Sequence, residues 1–201
     1  MTLPQKVELI EKLFHQLDQE ISSFQNTTGI RCLSGCGRCC TYPDIEASPL
    51  EFLPWAFHLF LTGEAEKMLK TLRELQSATC VNYQPLTVVD QGHCKTYRYR
   101  GLICRLFGYA ANTDKYGKLR LATCKVIKEG QPENFTSASE KINQGLLSVP
   151  IFTEYYMQLN QIDFRLGTII VPVNKALRMA IEEVLQYYAY RPLPLSDKEC
   201  V

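Results

Sequence analysis

The sequence predicts a mainly α-helical fold with an irregular, metal-stapled, cysteine-rich core and at most a short β-hairpin. Three observations lead there. Apolar residues recur at three- and four-residue steps in separate stretches towards both ends of the chain. Four thiols fall within nine residues, at Cys32, Cys36, Cys39 and Cys40. Further cysteines return at long intervals between residues 78 and 125, at Cys80, Cys94, Cys104 and Cys124, where helical periodicity fades.

A first helix is expected over residues 3–25. Val7, Ile10, Leu13, Phe14, Leu17, Ile21 and Phe24 line one face, and Thr2 with Gln5 reads as a capping box. Asn26-Thr27-Thr28-Gly29 ends it and delivers the chain to the dense cluster. There Cys36-Gly37-Arg38-Cys39 is a tight CxxC: two intervening residues let both sulfurs reach one ion, and Gly37 lets the backbone fold back towards them. Gly35 serves the first loop in the same way. Cys39 and Cys40 are neighbours whose side chains should diverge. The expectation is that Cys39 pairs with Cys36, while Cys40 reaches a centre built from Cys80, Cys94, Cys104 and Cys124.

Ser48-Pro49-Leu50-Glu51 opens a second helix, 49 to about 62. Pro54 should bend it, and Phe52, Leu53, Trp55, Phe57, Leu59, Phe60 and Leu61 make it apolar nearly all round, as a core helix is. A third helix is expected over 64–77. The turn Asn112-Thr113-Asp114-Lys115-Tyr116-Gly117 leads into a strand with Leu119 and Leu121 that ends near Cys124. Helical signals resume over 139–147 and 150–166, and behind the cap Asn174 as far as Tyr188. The chain therefore reads as one domain, 1–201, with a cysteine-rich core at 26–126 between flanking helices in 1–25 and 137–190. Its tail beyond Arg191 should be extended, leaving Cys200 outside any metal site.

Composition narrows the function. Among 201 residues, 22 Lys and Arg face 21 Asp and Glu, a net charge of +1 that supplies no global field for nucleic acid or a membrane. The first residues show no secretory leader, and no apolar run approaches the ~20 residues of a bilayer span. The expected location is the cytoplasm, where nine cysteines point away from disulfides and towards metal. Eight of them, Cys32, Cys36, Cys39, Cys40, Cys80, Cys94, Cys104 and Cys124, suit two four-cysteine zinc sites, two iron-sulfur clusters, or one cluster with thiols left over. Soft thiolates argue against magnesium or calcium. Arg38, Arg98, Arg100 and Arg105 could offset the anionic charge of either centre. His15 and His58 fall on expected helices as packing or surface groups, and His93 is the one spare ligand candidate. The chain shows no dinucleotide fingerprint, no Walker loop and no histidine placed to activate a cysteine nucleophile.

The cluster ending in Cys39-Cys40, the cap Ser48-Pro49-Leu50-Glu51, Cys80, Cys94-Lys95-Thr96-Tyr97 and Leu102-Ile103-Cys104-Arg105-Leu106-Phe107 together resemble the YkgJ-like cysteine-cluster family, a zinc- or iron-chelating domain often labelled an iron-sulfur oxidoreductase. The likeness covers about residues 30–126. The chain departs from the family pattern in the three residues between Cys32 and Cys36 and in Gly101, where the family usually has proline. The resemblance implies a metal-binding cysteine module, and the family label favours an iron-sulfur cluster over Zn²⁺. Three functions are consistent with it. The first is an iron-sulfur protein with an electron-transfer or protein-maturation role and a protein or redox partner. The second is a zinc-stabilised interaction module that docks through residues 97–107 and the apolar helix. The last is an RNA-binding metal module that uses Tyr97, Arg98, Tyr99, Arg100 and Phe107, which the near-neutral charge does not help.

Overall fold

A computed structural model describes residues 1–87 and 91–192. Cys200 lies outside the described residues. Helix α1 (Leu3–Thr28) begins with the capping box of Thr2 and Gln5 and buries Leu3, Val7, Ile10, Leu13, Phe14, Leu17, Ile21 and Phe24 on one face. It runs three residues past the expected end, because the chain leaves the helical conformation only at Gly29. There φ is 71° and the N–H donates to the Gln25 carbonyl at 2.9 Å. Each fully buried side chain on this face contributes roughly 2 kcal/mol before entropy, so packing rather than propensity holds the helix.

The capping box at Ser48 and Glu51 is also present, but it opens a 3-10 turn, Pro49–Phe52, and not an α-helix. Helix α3 (Leu53–Leu61) starts immediately after, with Pro54 in its first turn. Arg38–Thr41, within the cysteine cluster, forms the one-turn helix α2. The proline's missing N–H costs nothing at that position, so the expected bend within one helix is a break between two. Helix α3 is core, as its composition indicates: Leu53, Pro54, Trp55, Ala56 and Leu59 are buried. Helix α4 (Ala65–Glu74) follows. The closing helix α10 (Val173–Tyr188) packs across α3, α4 and the 3-10 turn, and Tyr188 stacks on Phe60 with ring centroids 4.6 Å apart.

Between α4 and α10 lie α5 (Leu102–Leu106), α6 (Lys125–Gly130), α7 (Pro132–Asn143), α8 (Phe152–Ile162) and α9 (Phe164–Gly167). Helix α7 begins at Pro132, a first-turn proline, well before the periodic stretch at 139–147. The expected helix 150–166 divides at Asp163, whose carboxylate accepts the Leu166 N–H at 3.0 Å and pairs with Lys6 of α1. The mainly α class stands, and among the described residues the strands form three short antiparallel pairs. β1 (Glu46–Ala47) pairs with β6 (Val171–Pro172), β2 (Tyr83–Pro85) with β3 (Gly92–Cys94), and β4 (Ala111–Thr113) with β5 (Leu119–Leu121). The β4/β5 hairpin is the one legible from the turn at 112–117. The β2/β3 hairpin is additional, and its register sets Tyr83 opposite Cys94. The helices contribute most of one contiguous apolar core, which leaves the cysteine-bearing segments at its margin. Among the described residues no helix is long and apolar enough to cross a membrane.

Candidate metal centre

Close backbone packing brings the cysteine segments together. Gly37 has φ 56°, and a Cβ there would meet the Gly92 carbonyl at 2.7 Å and the Tyr83 ring at 2.8 Å. A Cβ on Gly92 would penetrate the same ring at 2.2 Å. Glycine at both positions therefore lets the cluster loop lie directly on the β2/β3 hairpin, where the Gly92 N–H donates to the Gly35 carbonyl at 2.9 Å. One turn on, the Cys80 N–H donates to the Cys40 carbonyl at 2.9 Å. Asn174 holds the segment before Cys80. It is the second residue of α10 and not its cap; its Oδ1 accepts from the Val81 N–H at 2.9 Å and its Nδ2 donates to the Thr79 carbonyl at 2.8 Å.

Two further connections place Cys104 and Cys32. Glu51 is buried, and its carboxylate accepts from the Ser48 N–H at 2.8 Å and from the Ile103 N–H at 2.9 Å. One side chain thus caps both its own turn and α5, the helix that carries Cys104. Burial pushes the Glu51 carboxyl above its ordinary range, against the pull of its hydrogen bonds from Ser48, Ile103 and Tyr156. The Cys32 N–H donates to the Tyr109 hydroxyl at 2.8 Å. Cys124 is the N-cap of α6, and its sulfur accepts from the Ile127 N–H at 3.4 Å.

The result is one cavity of about 1010 Å³ lined by all eight candidate ligands, Cys32, Cys36, Cys39, Cys40, Cys80, Cys94, Cys104 and Cys124. All eight are free thiols, and Cys32 and Cys39 are exposed. They fall into two neighbourhoods. Hydrogen bonding of Cys40 with Cys39 and Cys94 drives its own thiol far up and lowers Cys39 to about 7 and Cys94 to about 6. Arg100 also favours the thiolates of Cys39 and Cys94. Burial raises Cys80 to about 11 and pushes Cys104 up as well, with Cys39 near both. Cys32 meets that group through Cys39. Burial first, then its neighbours Cys36, Cys39 and Cys124, raise it to about 11. Cys40 thus interacts with both Cys39 and Cys94, and Cys32 with Cys36.

The arginines divide in the same way. Arg105 is buried; it pairs with Asp18, lies over the Phe14 ring and donates to the Arg98 carbonyl at 2.6 Å and the Arg100 carbonyl at 3.1 Å. It ties the 98–100 segment to α1. Arg100 and Arg38 line the thiol cavity, and Arg100 stacks on Tyr97 at 3.5 Å. His58 stacks on Tyr99 at 4.8 Å and His15 bonds Gln19, so both are packing or surface groups, whereas His93 lines the cavity from β3. Pattern reading assigned Glu51, Asn174 and Tyr109 no part in placing these cysteines. Each acts over a long sequence separation, and only the Ser48/Glu51 box carried any local signal.

The donor chemistry fits a soft metal: eight thiols, two of them held towards the thiolate, with a guanidinium beside them. Among the described residues, however, no three His, Cys, Asp or Glu side chains converge on one point as a closed coordination set. The thiols line a shared space. No curated protein and no solved structure matches the chain. Residues 31–125 match the model of the CxxCxxCC family, described as a "Putative zinc- or iron-chelating domain", so the cysteine-bearing stretch is similar to that family.

Proposed function

We propose that Cys32, Cys36, Cys39, Cys40, Cys80, Cys94, Cys104 and Cys124 hold metal as an iron-sulfur centre with an electron-transfer or protein-maturation role. The observation that carries this reading is the single cavity of about 1010 Å³ around which the eight thiols stand. A tetrahedral zinc ion with ~2.3 Å bonds needs its four sulfurs only ~3.8 Å apart. A cluster that includes its own sulfide spans a wider space and makes better use of this one. Bound there, the cluster supplies one-electron exchange at a potential set by its charge, its hydrogen bonds and its exposure. The chain offers all three levers. Arg100 brings positive charge, the Ile127 N–H points at the Cys124 sulfur, and Cys32 and Cys39 open an edge to a protein or redox partner in a reducing cytoplasm.

A zinc-stabilised interaction module is the second reading, favoured by the close set of Cys39, Cys40 and Cys94 with Cys80 bonded to the backbone of Cys40. Its docking surface would be the rim at exposed Tyr97, since α3 is buried. An RNA-binding role loses support, because Tyr99, one of its stacking groups, is already stacked on His58. Anaerobic purification tests the choice. A brown protein absorbing near ~400 nm, with iron and acid-labile sulfide, is the expected result. A colourless protein with stoichiometric zinc would overturn the cluster in favour of the second reading.

A further inference from the structure

Resting on the reading of the cavity edge as the face met by a protein partner, we propose that the 3-10 turn Tyr97–Tyr99, with Lys95 and Arg100 on either side of it, docks an acidic segment of that partner, carboxylates flanking one apolar side chain. The turn is held from behind. Arg105 is a buried cation, which costs desolvation, and it donates to the carbonyls of Arg98 and Arg100 while it pairs with Asp18 of α1. The side chains of Tyr97 and Arg98 take no part in that anchorage. Arg98 lies 5.7 Å from the centre of the Tyr99 ring, which stacks on His58, so its charge is on the α3 side of the turn. Lys95 and Arg98 are exposed and do not line the thiol cavity, so neutralising thiolates is not what they are placed for.

The charge of this segment has one sign. Residues 91–113 hold Lys95, Arg98, Arg100 and Arg105 and no Asp or Glu, although the whole chain carries a net charge of only +1. Among the described residues Lys95, Arg98 and Arg100 have no ion pair, whereas Lys6, Arg73 and Arg165 face Asp163, Glu182 and Glu183. Cations set this close together on a fixed turn are complementary to carboxylates. Tyr97, with Tyr42 and Leu33 on the same cavity wall, supplies the apolar part, each more than half exposed. Tyrosine and arginine are the side chains that anchor protein interfaces, and a preformed turn reduces the entropy lost on docking. Single-stranded nucleic acid needs open aromatic faces. Here Arg100 lies over the Tyr97 ring at 3.5 Å and His58 covers Tyr99, so one face of each ring is taken.

The test selects a phage-displayed library of random linear peptides on the immobilised full chain, purified anaerobically. Enriched sequences should set Asp or Glu on both sides of a Leu, Phe or Trp. A selected peptide, synthesised with a fluorophore, should bind wild type by anisotropy and lose affinity as salt is raised. Arg98→Glu and Tyr97→Ala should each weaken it about tenfold or more, Arg98→Gln less, and Lys118→Glu on the β4/β5 hairpin not at all. Arg98 holds Arg105 through its carbonyl, so both Arg98 variants should keep the wild-type melting temperature. No enrichment, sequences without an acidic bias, or equal binding to Arg98→Glu would overturn the proposal. Tighter binding of a single-stranded RNA oligonucleotide of the same charge would give the surface to nucleic acid, and a wild-type dimer that Arg98→Glu dissociates would give it to a second copy; either overturns the proposal. Iron and sulfide measured on the same preparations keep the two readings apart. A metal-free chain that selects acidic peptides rejects the cluster alone, and a loaded chain that selects none rejects the docking surface alone.

Discussion

Glu51 is a buried carboxylate that caps the 3-10 turn and α5 at once. Its replacement by alanine leaves the buried N–H groups of Ser48 and Ile103 without an acceptor, at a cost of about 3 kcal/mol by urea unfolding. Its pH behaviour is equally specific. Burial raises its folded pKa above the unfolded value, so the folded state retains the proton longer. Stability from this group is fully present below the unfolded pKa and is lost as pH rises through the folded one. Glu51→Gln, which cannot ionise, should cost about 2 kcal/mol for its poorer acceptor set but remove that decline. The two melting-temperature profiles should therefore converge as pH rises above the ordinary carboxylate range. Parallel profiles would mean that the carboxylate is ionised throughout. Cys40 offers a second single-residue test. Its thiol lies between those of Cys39 and Cys94, so Cys40→Ala should remove metal as completely as Cys104→Ala. Full metal content with a loss of only about 1 kcal/mol would reduce Cys40 to packing.

Among the elements, the short ones that carry cysteines depend on the long ones. Helix α10 supplies Asn174, whose hydrogen bonds to Thr79 and Val81 fix the approach to Cys80. Asn174→Ala should cost about 2 kcal/mol and lower metal content, while Asn143→Ala at the end of α7 provides a control that leaves metal unchanged. Normal metal in Asn174→Ala would show that Cys80 is placed without it. The same contrast explains what the sequence could reveal. Helices α1 and α10 announce themselves because their apolar faces repeat with the helical period, α3 because it is apolar nearly all round, and both capping boxes are local patterns. The β4/β5 hairpin is legible from its Asp114 to Gly117 turn. The β2/β3 pair has no comparable alternation. It is held by the packing of Tyr83 on Gly37 and Gly92, a contact between distant residues. Helix α6 is a single turn and a half capped by a cysteine sulfur, which no propensity scale treats as a cap. The identity of the eight candidate ligands was readable from residue type. Their grouping was not, because it depends on which hairpin each segment meets.

Across the whole molecule, the apolar core and the thiol cavity are two sources of order with different conditions. The core draws on α1, α3, α4, α8 and α10, whose buried faces need no metal. Segments 31–47 and 78–101 contribute few buried apolar side chains and carry six of the eight candidate ligands, Cys32, Cys36, Cys39, Cys40, Cys80 and Cys94. If metal fixes these segments, binding energy there is folding energy for that part alone. Chelation under anaerobic conditions should then lower the melting temperature and expose residues 31–47 and 78–101 to limited proteolysis. Most of the far-ultraviolet helical signal should persist, since the long helices rest on the core. Complete loss of helix on chelation would mean that metal and core fold as one unit. An unchanged melting temperature and protease pattern would mean that the hydrogen bonds joining Cys40 to Cys80 and Gly35 to Gly92 hold the cavity without metal, so that its ligands enter a preformed site.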